Sequence, residues 1–98
     1  MNINKELNGS FLRISLEGRL DTSTSPALEE TLRTSLNGVT ELELDFTGLE
    51  YISSSGLRVL LAAQKTMNQQ GAMRLSHVNA NIMDIFDITG FTDILTII

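Results

Sequence analysis

The stretch Glu41-Leu-Glu-Leu-Asp-Phe46 alternates acidic and apolar residues with a strict period of two, the pattern of a strand with one face turned to a core. On both sides the apolar spacing changes to that of a helix. Upstream, Leu28, Leu32 and Leu36 recur at helical spacing; downstream, Leu57, Leu60, Leu61 and Met67 form one stripe that Val59, Ala62 and Ala63 widen. A strand set between two helices reaches its neighbours through crossovers rather than hairpins, so those neighbours run parallel to it. This restricts the chain to an α/β fold with helices packed on a sheet.

The remaining segments fit that frame. Residues 3–7 and 11–17 flank Asn8-Gly9, a type I′ hairpin signal because both residues tolerate positive φ. The first helix is expected to take Ser25 as N-cap, Pro26 at its first position, Glu29 and Glu30 in its first turn, and Gly38 past its end. The central strand is expected from Val39 to Phe46, followed by a short loop through Gly48. Ser53-Ser54-Ser55 opens the second helix, which Gly71 stops. Met73 to Ser76 reads as a short strand. Asn79 caps a third helix that carries Ile82, Ile85 and Phe86 and ends at Gly90, and the β-branched run Ile94 to Ile98 reads as a last strand. The expected order is β β α β α β α β: a mixed sheet, with an N-terminal hairpin plus parallel β-α-β units, and helices packed against it.

The 98 residues suffice for one core, so the domain is expected to span 1–98. Aromatics are 5% against 42% hydrophobic residues overall, which makes that core aliphatic. The 12 acidic residues outnumber 7 scattered basic ones, an arrangement unsuited to tracking phosphates or binding an anionic membrane. Without cysteine there is no disulfide framework, no thiolate nucleophile and no thiolate metal site. The N-terminus has no signal-type apolar region, and no apolar run approaches the roughly 18 residues of a membrane span, so the protein is expected to be cytoplasmic.

Few residues could carry chemistry. His77 is the only histidine and has no ligand-spaced partner, so it reads as a surface or turn residue and no metal is expected. Neither GxGxxG nor GxxxxGK[ST] occurs, which removes the glycine-rich phosphate cradles. A serine nucleophile elbow requires glycine two residues to each side, and Ser54 has Ile52 on one of them. The hydroxyls at the start of the second helix remain. Four backbone amides there lack intrahelical partners and the dipole is positive, so the position suits a capping hydroxyl or an anion such as a covalently attached phosphate. Asp21-Thr-Ser-Thr-Ser25 opens the first helix in the same way. Parallel connections gather strand C-termini and helix N-termini on one sheet edge, so Asp21 and Ser54 are expected on the same side of the molecule.

Four stretches, in order and over nearly the whole chain, resemble the STAS family, and within it the stand-alone bacterial anti-sigma factor antagonists: LEGRLDTSTSPALEETL (16–32), ELELDFTGLEYISSSGLRVLL (41–61), GAMRLSHVNANI (71–82) and IFDITGFTDILTI (85–97). The resemblance implies a substrate and binding module rather than an enzyme, with no cofactor. Its unphosphorylated form would bind an anti-sigma factor that is also a GHKL-type serine kinase, and phosphorylation of one serine would end that binding. A PP2C-like phosphatase would be a further partner; no direct nucleic-acid or membrane contact is implied, and the state is monomer or weak dimer. The family pattern is Asp-Ser-Ser/Thr-Gly-Leu. Aligning Gly56-Leu57 puts Ser54 at the acceptor position, Ser55 beside it as a helper of the helix start, and Ser53 where Asp is usual. Asp21 matches the acid of the family's Gly-x-Leu-Asp turn, here Gly18-Arg19-Leu20-Asp21. Asp21, Thr22, Ser23, Ser53, Ser55, Gly56 and Arg58 are the implied partner-binding residues, with Asp21 and Asp45 as acidic neighbours of the phosphate. Many relatives carry an amphipathic C-terminal helix that is not among these residues, which is expected to leave one sheet edge or face less covered. The alternative is a STAS subunit of a transporter-associated or lipid-trafficking complex that is not phosphorylated.

Overall fold

Strands β1 (Asn2–Asn8) and β2 (Phe11–Leu20) form the expected hairpin in a computed structural model that describes residues 1–98. Asn8 pairs with Phe11, so the turn is Gly9-Ser10 rather than Asn8-Gly9. Gly9 has φ 65 and neither neighbour is positive, so the turn is of the II′ kind, which needs glycine only at its first central position, and not of type I′.

Helix α1 (Ser25–Ser35) takes Thr24, not Ser25, as N-cap, and Thr24 makes no side-chain capping bond. The Ser25 hydroxyl instead donates to the Asp21 carbonyl at 2.6 Å. Glu29 and Glu30 lie beyond the first turn, which contains no acid.

Strand β3 (Glu41–Ile52), helix α2 (Ser54–Gln70), strand β4 (Ala72–Ser76) and helix α3 (Ala80–Thr89) follow. The sheet order is β1-β2-β3-β4; β1 is antiparallel to β2, and β3 is parallel to both of its neighbours. β3 does not stop at Phe46. It continues through Thr47-Gly48 because the pairing with β2 shifts between Ser15 and Glu17 and again between Gly18 and Arg19, and a strand glycine at such an irregularity reads locally as a loop. The expected final strand is also shorter. A 3₁₀ turn at Phe91–Asp93 leads to a single parallel bridge between Ile97 and Leu75, with the Leu75 amide donating to the Thr96 carbonyl at 2.8 Å.

Helices and sheet share one cluster of 23 buried apolar residues, with Ile14, Leu44, Phe46, Leu60, Met67 and Phe86 among the most enclosed. Leu57, Val59, Leu60, Ala63 and Met67 supply the stripe of α2, whereas Leu61 is only half-buried and Ala62 is exposed. The acidic side of β3 is not simply solvated. Glu43 is buried and lies 3.4 Å from Arg13 Nε and 3.3 Å from Arg74 Nε, and it accepts from the Ser76 hydroxyl at 2.9 Å. Both guanidiniums flank the Phe11 ring, at 5.7 and 5.3 Å from its centroid, so this acid is compensated from two strands.

Candidate functional site

β2 and β3 end side by side at the Leu20–Ile52 pair, and the chain then enters α1 from one strand and α2 from the other. The Ser53 amide donates to the Leu20 carbonyl at 2.9 Å, which fixes the start of α2 against the end of β2. Gly56 makes the close approach sterically available. A Cβ there would lie 2.8 Å from both Ile52 Cγ1 and Leu20 Cγ. Gly56→Ala is therefore expected to lower stability by about 1 to 3 kcal/mol despite alanine's better helix propensity. Denaturant titration reads this, and an unchanged or raised midpoint would contradict it.

The three serines occupy different environments. Ser53 is extended (φ −100, ψ 176) and is the N-cap of α2, its hydroxyl accepting from the Gly56 amide at 3.5 Å. Ser55, expected as the helper of the helix start, does not cap: its hydroxyl lies 3.3 Å from the Thr22 hydroxyl and accepts from Arg58 Nη2 at 3.4 Å. Ser54 is exposed, and its hydroxyl takes part in none of these contacts.

Across the edge, the Asp21 carboxylate folds back on its own loop. It accepts from the Ser23 amide at 3.0 Å, the Ser23 hydroxyl at 2.8 Å and the Thr24 amide at 3.1 Å. The Ser23 hydroxyl first, and with it the Thr24 and Ser23 amides and the Thr24 hydroxyl, outweigh desolvation and hold this carboxyl below its ordinary range. Asp45 is also lowered. Burial alone would raise it, but the Thr47 hydroxyl and amide together with His77 outweigh that. A carboxylate whose folded pKa is depressed contributes stability above its unfolded pKa, near 4, and that contribution is lost as pH falls through the folded value. Asp45→Asn is expected to flatten the decline of melting temperature below about pH 4; an unaltered acid limb in a thermal-melt series would contradict this.

Asp21, Thr22, Ser23, Ser53, Ser54, Ser55, Gly56 and Arg58 are thus gathered at one sheet edge, joined by the Thr22–Ser55 and Ser53–Leu20 contacts. Asp45 is not among them. It sits in mid-strand, 3.0 Å from His77 Nδ1 and accepting from the Thr47 hydroxyl at 2.6 Å. His77 is an exposed turn residue with φ 57. Two neighbours were missed in the sequence. Arg19 stacks over the Tyr51 ring at 4.3 Å and its Nε lies 3.9 Å from Asp21. Arg19 is visible in the Gly18-to-Asp21 turn, but its pairing with Tyr51 comes from the register of β2 on β3, which no local pattern encodes.

A four-stranded mixed sheet carrying a serine-rich helix start at its C-terminal edge defines a single-layer-sheet α/β domain with its candidate site at the strand ends. The family model described as "Mlab, STAS domain" matches residues 3–96, and the chain belongs to the STAS domain family. The anti-sigma-B factor antagonist of Bacillus subtilis is 29% identical over 100 residues, spanning 99% of this chain and 92% of that protein. The anti-sigma-B factor antagonist of Listeria monocytogenes is 31% identical over 95 residues, spanning 95% and 83%. The anti-sigma factor antagonist SpoIIAA shares the fold in its unphosphorylated form (TM-score 0.78, 18% identity, 99% and 87% covered). It does so equally in its phosphorylated form (TM-score 0.77, 19% identity, 99% and 91% covered).

Proposed function

We propose that this protein is an anti-sigma factor antagonist whose unphosphorylated form binds an anti-sigma factor and frees a sigma factor, and whose binding is ended by phosphorylation of Ser54. The observation that carries the reading is the division of labour among the serines. Ser53 is occupied as a cap and Ser55 by Thr22 and Arg58, which leaves Ser54 as the exposed, unengaged hydroxyl at a helix N-terminus. The names of the Bacillus and Listeria relatives support the same class. The kinase would be the anti-sigma factor itself, of GHKL type, and a PP2C-like phosphatase would reset the switch. Asp21, Thr22, Ser23, Ser53, Ser55, Gly56 and Arg58 would form the partner surface around the acceptor. The protein would act in the cytoplasm as a binding module and phosphate acceptor, not as a catalyst.

The test is sigma release. Added to a purified complex of a sigma factor and its anti-sigma factor from the same organism, the unmodified protein is expected to displace the sigma factor on a sizing column; an intact complex at tenfold excess would contradict the reading. The second reading, an unphosphorylated subunit of a transporter-associated or lipid-trafficking assembly, draws on the likeness in fold to a sulfate transporter family protein of Wolinella succinogenes (TM-score 0.76, 17% identity, 91% of this chain and 74% of that one covered). Transporter genes beside this one, in place of kinase and phosphatase genes, would favour it.

A further inference from the structure

Four of the five arginines stand within ion-pair distance of a carboxylate. Arg13 and Arg74 share Glu43, Arg33 pairs with Glu30, and Arg19 lies 3.9 Å from Asp21. Arg58 has no such partner. It is exposed, in the first turns of α2, where a positive charge opposes the helix dipole. Helical side chains lean toward the N-terminus and residues three and four apart share a face, so both Ser54 and Ser55 lie within the reach of Arg58, which in the unmodified protein contacts Ser55. Its Nη2 reaches Ser55 Oγ at 3.4 Å, and that oxygen is 3.3 Å from Thr22 Oγ1. Thr22, Ser25, Glu29 and Ser55 border the same open cleft of about 300 Å³, in which Glu29 is the only carboxylate and makes no ion pair with Arg58.

We infer that Arg58 is the intrachain partner of a phosphate on Ser54, and that forming this pair withdraws Arg58 from its contact with Ser55. The inference rests on phosphorylation of Ser54 as proposed above. The order, with the anion four residues N-terminal to the cation, is the favourable one for a helical pair. Phosphorylation then changes the surface twice. It adds about −1.5 to −2 of charge, and it engages a guanidinium that in the unmodified protein contacts Ser55 on the same surface. Asp21 Oδ1 accepts from its own loop and Oδ2 faces Arg19 at 3.9 Å, and Asp21 makes no ion pair with Arg58.

The test needs no kinase. Phosphoserine is installed at position 54 during translation in the wild-type chain, in Arg58→Lys and in Arg58→Gln, and the phosphate is titrated by phosphorus NMR. Its second ionisation is expected to fall about 0.15 to 0.4 unit lower in the wild type and in Arg58→Lys than in Arg58→Gln, with the gap closing at high salt. The amide signals of Thr22 and Ser55 are expected to shift on phosphorylation more in the wild type than in Arg58→Gln. Superimposable titrations in all three proteins would overturn the inference. Because the phosphate is installed directly, that result is independent of whether a kinase modifies Ser54 in the cell.

Discussion

Ser54→Asp is expected to weaken binding to the anti-sigma factor by about 30-fold or more, while Ser54→Ala binds as tightly as the unmodified protein. Burying an unpaired charge in an interface costs about 2 to 5 kcal/mol, and each 1.4 kcal/mol is tenfold in affinity. The helix N-terminus accommodates the same charge within the free protein, so the loss arises at the interface and requires no refolding. The alanine variant is a clean control because Ser53, not Ser54, caps α2. Its melting temperature should match the wild type, whereas Ser53→Ala should lose about 0.5 to 2 kcal/mol of stability. Calorimetric titration of both Ser54 variants against the anti-sigma factor reads the difference, and equal affinities would contradict the switch.

The largest expected loss of stability comes from Gly71→Ala. Gly71 has φ 171, extended backbone open to any residue, so the constraint is space rather than conformation. A Cβ there would stand 1.9 Å from the Thr40 carbonyl oxygen and 2.6 Å from its carbon. That oxygen accepts from the Ala72 amide at 2.9 Å, so it cannot move without opening the junction between α2 and β4. Overpacking against backbone is expected to cost about 3 kcal/mol, a large part of the stability of a small domain. At roughly 4 to 8 °C per kcal/mol for a chain of this size, melting should fall by about 12 °C or more. A variant melting within a few degrees of the wild type would contradict the packing described for this junction.

The elements that the sequence announced most clearly are those whose signals are local. The Asn79 cap and the Gly90 stop depend on residues within a few turns of one another and are found where their patterns place them, and the apolar stripe of α2 is found with Leu61 and Ala62 left outside it. Non-local bonds account for the differences. The length of β3 follows from an irregular pairing with β2, so Gly48 lies in a strand and not in a loop. The period-two pattern puts Glu43 on the acidic face of its strand, and only the pairing with the neighbouring strands shows that Arg13 and Arg74 enclose it. The site divides in the same way. Its residues were legible because strand ends and helix starts meet at one edge of a parallel sheet. The assignment of the cap to Ser53 over Ser55 was not, because the bond from Ser53 to Leu20 on the adjacent strand fixes where α2 begins.

Locating the phosphate tests the proposed switch most directly. The protein is incubated with its proposed anti-sigma factor kinase and ATP, digested, and mapped by mass spectrometry. The expected result is a single phosphate on Ser54 that disappears in Ser54→Ala, with Ser53 and Ser55 unmodified. Phosphate on either of those two serines, or none on any of the three, would contradict the assignment of Ser54 as the switch.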